Sequence, residues 1–230
     1  MLIGGLHKCS TVDYPGLLSS VIFTCGCNMN CSYCHNRELI SSRTDSAYEV
    51  KEIMEFLYIR KGLIDAVVIS GGEPTLQEDL IEFIRNVKAL GFKVKLDTNG
   101  TRPKVMEKLI KSGMVDFIAM DIKAPHEKYQ SVCGAPIPVD SISKSIQLIM
   151  ESGIDYEFRT TTWSTLLEDD YFQILKWINK AKRYVVQCCR TKDNLPMPNC
   201  SFNNAQSLAA FSKKAKEYVE IFETRGFQFL

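Results

Sequence analysis

Cys27, Cys31 and Cys34 stand in the stretch CGCNMNCSYCHN, residues 25–36 of a 230-residue chain. Their C-x3-C-x2-C spacing puts three thiols on one short loop, and thiolates bind soft metal centres. Three of them can hold three irons of a [4Fe–4S] cube and leave the fourth iron without a protein ligand, open to a substrate. Two other readings compete. Zinc would need a fourth ligand from Cys25 or His35, yet structural zinc sites usually show two separated ligand pairs, and no second C-x2-C occurs here. A disulfide requires an oxidising compartment. Cys25, two residues before the triplet and at the end of an apolar run, reads as a small buried hydrophobe.

Four more stretches carry polar residues that could build a site. SGGEPT (70–75) places Gly71, Gly72 and Glu73 between an apolar run and a helical pattern. Paired glycines let backbone approach a ligand, although a plain strand-to-helix turn needs them as well. Pro74 suits the first turn of a following helix. In DTNG (97–100), Asp97 and Asn99 can cap a helix, and Asn-Gly is itself a turn signal. DIK (121–123) sets Asp121 and Lys123 on one rim. Arg159 lies mid-run in EFRTT, where a buried guanidinium demands a partner. A structural carboxylate or a ligand carboxylate or ribose would serve equally. His7 and His126 read as surface or loop residues.

These stretches must be positioned by regular elements. Apolar, β-branched runs predict strands over 19–25, 66–70, 93–100, 116–123, 155–163 and 183–189. Between them, apolar residues recur at helical spacing over 47–62, 76–91, 104–113, 141–153, 169–181 and 203–226. Strands alternating with crossover helices imply an α/β fold with a parallel sheet. Six such units fit a partial, open (β/α)6 barrel, as a full eight-stranded barrel typically takes about 250 residues. No linker or repeat divides the chain, so residues 1–230 read as one domain. Every polar signature falls at the C-terminal end of a predicted strand, the edge where such folds build sites. The order of the strands does not follow from this pattern.

Composition excludes several classes. Twenty-eight Lys and Arg against 27 Asp and Glu leave a net charge of +1, without the basic excess of a nucleic-acid binder. No apolar run reaches a membrane span. The first residues, MLIGGLHKCSTVDYPG, lack the charged and apolar regions of a secretory signal. A cytoplasmic, reducing location is expected, where clustered cysteines indicate metal or catalysis.

CNMNCSYC resembles the C-x3-C-x-aromatic-C signature of radical S-adenosylmethionine (SAM) enzymes, with Tyr33 as the aromatic. GGLHKCSTVDYPG, CHN and SGGEPTLQ are similar to segments of the short activating proteins of glycyl radical enzymes. The likeness is strong over 1–125 and weaker in the last third. It is nearest to the activators of anaerobic ribonucleoside-triphosphate reductase, and also extends to those of pyruvate formate-lyase. The resemblance implies a radical SAM core, one [4Fe–4S] cluster on Cys27, Cys31 and Cys34, and SAM bound through the fourth iron. It further implies reductive cleavage of SAM to methionine and a 5′-deoxyadenosyl radical, which takes a hydrogen from a glycine of a partner enzyme.

By the same resemblance, Tyr33, His35, Gly71, Gly72, Glu73, Asp97, Asn99, Asp121 and Lys123 lie on the SAM side, and Arg159 joins them as a candidate from its guanidinium chemistry alone. Asp97, Thr98 and Asp121 match residues that hold a monovalent cation in the formate-lyase activators. Flavodoxin or ferredoxin is the implied electron donor, and an anaerobic, oxygen-sensitive enzyme is expected. No cysteine falls between Cys34 and Cys133, so a single cluster is expected. The sixth strand ends in QCCR where similar activators carry a Gln and an aromatic, which puts Cys188 and Cys189 near the rim as a buried structural pair. Two alternatives stay open: a radical SAM enzyme acting on a small molecule or another peptide, and a zinc- or cluster-bearing interaction module.

Overall fold

A computed structural model describes residues 1–41, 47–191, 201–202 and 204–227. The six expected strands are present as β2 (Leu17–Thr24), β3 (Ala66–Gly71), β4 (Lys93–Thr98), β5 (Phe117–Asp121), β6 (Asp155–Thr161) and β7 (Arg183–Gln187). They pair in parallel and in sequence order, which the pattern of apolar runs had left undecided. Two further strands flank them. β1 (Ile3–Tyr14) pairs antiparallel with β2, and β8 (Ile221–Arg225) pairs parallel with β7. β1 and β8 do not pair with each other, so the eight-stranded sheet is an open barrel.

The crossover helices are α1 (Val50–Ile59), α2 (Leu80–Ala89), α3 (Pro103–Ser112), α4 (Tyr129–Cys133), α5 (Val139–Met150), α6 (Glu168–Trp177) and α7 (Ala205–Ala215). Their apolar faces cover the sheet: Leu80, Phe83, Ile84 and Val87 of α2 are all buried, as are Val67 and Ile69 of β3. Each such side chain contributes roughly 1.5–3 kcal/mol relative to exposure. α3 starts on Pro103, whose missing N–H costs nothing in a first turn.

Two sequence expectations change. β1 escapes periodicity because an edge strand carrying Gly4, Gly5, His7 and Lys8 has one solvated side and interrupted alternation. The helix expected over 203–226 is α7 only to Ala215, and position 203 lies outside the described residues. Beyond it, Val219, Ile221 and Phe222 are β-branched or aromatic, and the backbone of Ile221–Arg225 pairs with β7. That pairing with a distant strand overrides the helical spacing.

The barrel interior is layered. At the N-terminal ends of the strands, Tyr14, Val21, Ala66, Val68, Phe117 and Ala119 form a small apolar plug separate from the main core. Tyr14 reaches in from β1 and meets the Phe117 ring at 5.7 Å between centroids. Pairing register then places Lys95 beside Phe117, Asp97 beside Ala119, and Arg159 beside Asp121. A charged layer therefore sits on the plug, and the C-terminal strand ends rise above it.

Candidate functional site

The site begins where β2 ends. After Thr24 the chain leaves the sheet and its loop carries the cysteines. Gly26 N–H donates to the Leu39 carbonyl at 2.7 Å, Cys27 N–H to Ile40 at 3.1 Å, and Asn30 N–H to Cys133 at 2.8 Å. Arg37 adds a guanidinium contact to the Cys31 carbonyl at 3.2 Å. The loop is thus held by backbone and charge on both sides, a preorganisation that a ligand site requires.

Cys27, Cys31 and Cys34 all line one cavity of about 380 Å³ at the C-terminal mouth of the barrel, a size within the range of small-molecule sites. Tyr33, His35, Gly71, Gly72, Glu73, Asp97, Thr98, Asp121, Lys123 and Arg159 line it too. Cys25 does not; it is fully buried at the end of β2, as its position suggests. Cys188 and Cys189 follow Gln187, which lines the cavity, but neither of them does. Cys189 is buried and its N–H donates to Thr162 at 3.0 Å.

Asn99 also stays outside the cavity lining. Its side-chain amide donates to Asn28 at 2.9 Å and approaches the Cys27 sulfur at 4.0 Å, while its Oδ1 accepts from Thr101. It supports the cysteine loop from behind, and Asn28 is a member of this support that the sequence did not reveal.

Glu73 is the hub between loops. Its buried carboxylate accepts from Thr98 Oγ1 at 2.7 Å, Asn99 N–H at 2.6 Å, Thr75 N–H at 3.1 Å and the Thr75 hydroxyl. Burial raises its carboxyl above the usual range, and these four donors oppose the rise. The preceding glycines have a different reason from ligand approach. A Cβ on Gly71, at φ +117°, would lie 2.2 Å from Thr24 N, and one on Gly72 would lie 2.1 Å from Gly26 O. Gly72 and Glu73 N–H donate to Thr24 and Gly26 carbonyls, both at 2.8 Å. The glycines let β3 close against the start of the cysteine loop. Pro74 opens a short 3-10 turn, Pro74–Leu76, before α2.

The floor is an ion-pair network. Arg159 Nε meets Asp121 at 2.8 Å and its Nη1 meets Asp97 at 3.3 Å. Lys95 Nζ holds the other Asp97 oxygen at 2.6 Å, and Lys123 Nζ meets Asp121 at 2.9 Å. Burial alone would raise the Asp121 and Asp97 carboxyls, but the neighbouring cations overcome it and hold both low. Lys123 is likewise kept charged against burial, chiefly by Asp121. Arg159 therefore has structural partners while its side chain still faces the cavity. It supplies positive charge between Asp97 and Asp121, two residues of the expected cation site. Thr98, the third, turns its hydroxyl to Glu73 instead. Below, Glu157 is fully buried and paired bidentately with Arg225 of β8 at 2.9 and 2.6 Å. Lys95, Glu157 and Arg225 carried no motif; only an unexplained charge inside an apolar strand could have flagged the first two.

Three observations fit this cavity to a cluster with a bound ligand. The thiols share one wall. Among the described residues, no three of His, Cys, Asp and Glu converge closely enough to hold a single metal ion; a four-iron cube instead puts each thiolate on a different iron. The Tyr33 hydroxyl, on the same wall, is buried without a hydrogen-bond partner. Such atoms are rare and call for an external partner. The Tyr33 ring itself is fixed against Trp163, with centroids 5.3 Å apart. The Cys31 thiol is lowered to about 6, first by the neighbouring Cys133 thiol, then by Lys123, with burial opposing. Burial pushes Cys27 up to about 11 and raises Cys34; metal coordination deprotonates such thiols outright.

The pattern of the radical SAM superfamily matches residues 21–182, from β2 to the approach to β7. The chain belongs to the radical SAM superfamily. Members of this superfamily use a [4Fe–4S] cluster and SAM. A Methanocaldococcus jannaschii protein with the provisional name of glycyl-radical enzyme activating enzyme is 38% identical over 235 residues, spanning 95% of this chain and 93% of that one. The pyruvate formate-lyase-activating enzyme of Listeria monocytogenes is 34% identical over 153 residues, 59% of this chain and 61% of that enzyme. The crystal structure of Streptococcus suis SuiB bound to S-adenosylmethionine superposes with a TM-score of 0.66 at 17% identity, over 87% of this chain and 48% of that one. This radical SAM enzyme is therefore a homologue of the activating enzymes, on a fold shared with more distant relatives. No helix among the described residues is long and apolar enough to cross a membrane.

Proposed function

We propose that this radical SAM enzyme activates a glycyl radical enzyme, with anaerobic ribonucleoside-triphosphate reductase as its partner and flavodoxin or ferredoxin as its electron donor. The observation that carries the reading is the meeting of Cys27, Cys31 and Cys34 with the orphaned Tyr33 hydroxyl on one cavity wall. The near full-length relative supports the activase assignment.

In this reading the three cysteines hold the cluster. When bound and reduced, the cluster with SAM supplies homolytic C–S cleavage and a 5′-deoxyadenosyl radical. The chain's own groups place the ligand. Tyr33 offers its hydroxyl, and His35 lies on the same loop. Gly71, Gly72 and Glu73 line the cavity beside the start of the cysteine loop, with Asn99 bracing that loop. Lys123 presents a cation that suits SAM's carboxylate, and Arg159, anchored by Asp97 and Asp121, presents a second. The Tyr14–Phe117 plug keeps water from entering through the floor. The open side between β1 and β8 suits a peptide segment of a partner better than an enclosed metabolite.

Anaerobic reconstitution with iron and sulfide, followed by SAM and dithionite, should yield cluster absorbance and 5′-deoxyadenosine. Adding the reductase should yield a glycyl EPR doublet. Deoxyadenosine without that doublet on any glycyl radical partner would move the reading to a small-molecule or other peptide substrate. One zinc and no iron would move it to an interaction module.

A further inference from the structure

We infer that Lys95 and Arg159 are built-in cations that take the place of a monovalent metal ion beside the ligand site, so that this chain binds SAM without potassium or sodium; the inference rests on the SAM reading above.

The resemblance to the formate-lyase activators puts such an ion on Asp97, Thr98 and Asp121, and the donor set here does not fit one. Hard cations need oxygen ligands, and all four oxygens of the two carboxylates already face protein cations. Lys95 Nζ holds Asp97 Oδ1 at 2.6 Å, and Arg159 Nη1 meets Oδ2 at 3.3 Å, where the Ser70 hydroxyl also donates at 3.2 Å. Arg159 Nε meets Asp121 Oδ1 at 2.8 Å, and Lys123 Nζ meets Oδ2 at 2.9 Å. The Thr98 hydroxyl donates to Glu73 at 2.7 Å and accepts the Gly100 N–H at 3.1 Å, so it is used in both directions.

Lys95 decides the matter. Positions 95 and 97 of β4 lie two apart and therefore share one face of the strand. The ammonium sits beneath Asp97, 5.9 Å from the centre of the Phe117 ring in the plug, with 2% of the side chain exposed. A buried ammonium needs a paired charge, and a metal ion that took Asp97 would strand it. The charge balance agrees. Lys95, Lys123 and Arg159 bring three positive charges against the two of Asp97 and Asp121, while Glu157, 4.0 Å from Arg159, is balanced by Arg225. One positive charge is left for the carboxylate of SAM's methionine part. An added ion would double that surplus, and like charges at such range repel strongly.

The test measures two quantities: SAM affinity of the reconstituted protein, by anaerobic titration calorimetry, and the unfolding midpoint of the chain without SAM. Both are read in tetramethylammonium chloride, then with potassium, sodium or ammonium chloride replacing it at constant ionic strength. Wild type should show one affinity and one midpoint in every salt. Lys95→Ala frees Asp97 Oδ1 and leaves room for a small cation. In tetramethylammonium its SAM affinity should fall by about tenfold. Potassium or ammonium should restore that affinity and raise the midpoint, by binding the folded chain. A wild-type affinity or midpoint that rises with potassium or sodium overturns the inference. So does a Lys95→Ala protein that keeps full affinity, or loses it without recovery. If Lys95→Ala does not fold, the wild-type salt series decides alone. A wild type that binds no SAM overturns the reading above, and the midpoints still decide on Lys95.

Discussion

The Glu73 carboxylate accepts the Asn99 backbone N–H at 2.6 Å, so the loop after β3 grips the loop after β4 beneath the cysteine wall. Asn99 in turn reaches the cysteine loop through Asn28. Three consecutive strand ends are therefore joined through one buried acid.

Replacing Glu73 by Gln tests that joint. One acceptor oxygen becomes an amide donor: in the Oε2 place it faces the Asn99 N–H and that contact is lost, and in the Oε1 place it faces the three donors from Thr75 and Thr98. Stability should fall by about 2–3 kcal/mol, read by urea unfolding. SAM affinity of the reconstituted protein should fall as well, because the strand ends no longer hold one arrangement. An unchanged unfolding midpoint would show that the hub is dispensable.

Tyr33→Phe removes the orphaned hydroxyl. Without SAM, the variant should be as stable as wild type or slightly more, since a buried unsatisfied group disappears. With SAM, binding should weaken by about fivefold, near 1 kcal/mol. Isothermal titration under anaerobic conditions separates the two effects. Equal SAM affinity would mean that the hydroxyl finds no ligand partner.

Arg225→Met should cost about 3 kcal/mol, because it strands the Glu157 carboxylate inside the barrel. The double variant Glu157→Leu with Arg225→Met should recover most of that loss, since a buried pair is weak evidence of net stabilisation. Thermal unfolding of the four proteins closes the cycle. A double variant no better than the single one would show that β8 needs the ion pair for docking.

Asp121 and Asp97 make stability depend on acid. Both carboxyls sit below their unfolded value of about 3.9. As pH falls, the unfolded chain therefore takes up protons first. Their contribution is full above about pH 5 and is lost as pH drops through the unfolded value toward the lower folded ones. Glu73 is raised and works in the opposite sense. Asp121→Asn should lose about 3 kcal/mol at pH 7, leaving Lys123 unpaired, and its stability should then fall less steeply below pH 5. Denaturant midpoints from pH 3 to 7 check both; parallel curves for variant and wild type would refute the assignment.

Local information in the chain was enough for the six parallel strands, the helices between them, and the placing of cysteines, GGEP, DTNG and DIK at strand ends. Apolar periodicity reports which face of an element is buried, and the cysteine spacing by itself carries the proposed ligand pattern. The order of strands, the two edges β1 and β8, and the true length of α7 depended on pairing between distant segments, which periodicity does not encode. The same holds for chemistry. Gly71 and Gly72 were legible as special, yet only the packed backbone of Thr24 and Gly26 explains them. Lys95, Glu157 and Arg225 were silent because an ion pair is a relation across strands, set by register. Cys133 became a neighbour of Cys31 only when α4 folded back on the loop. Residue identity supplied the groups that can react or bind; three-dimensional proximity chose their partners, and with them their charge and their burial.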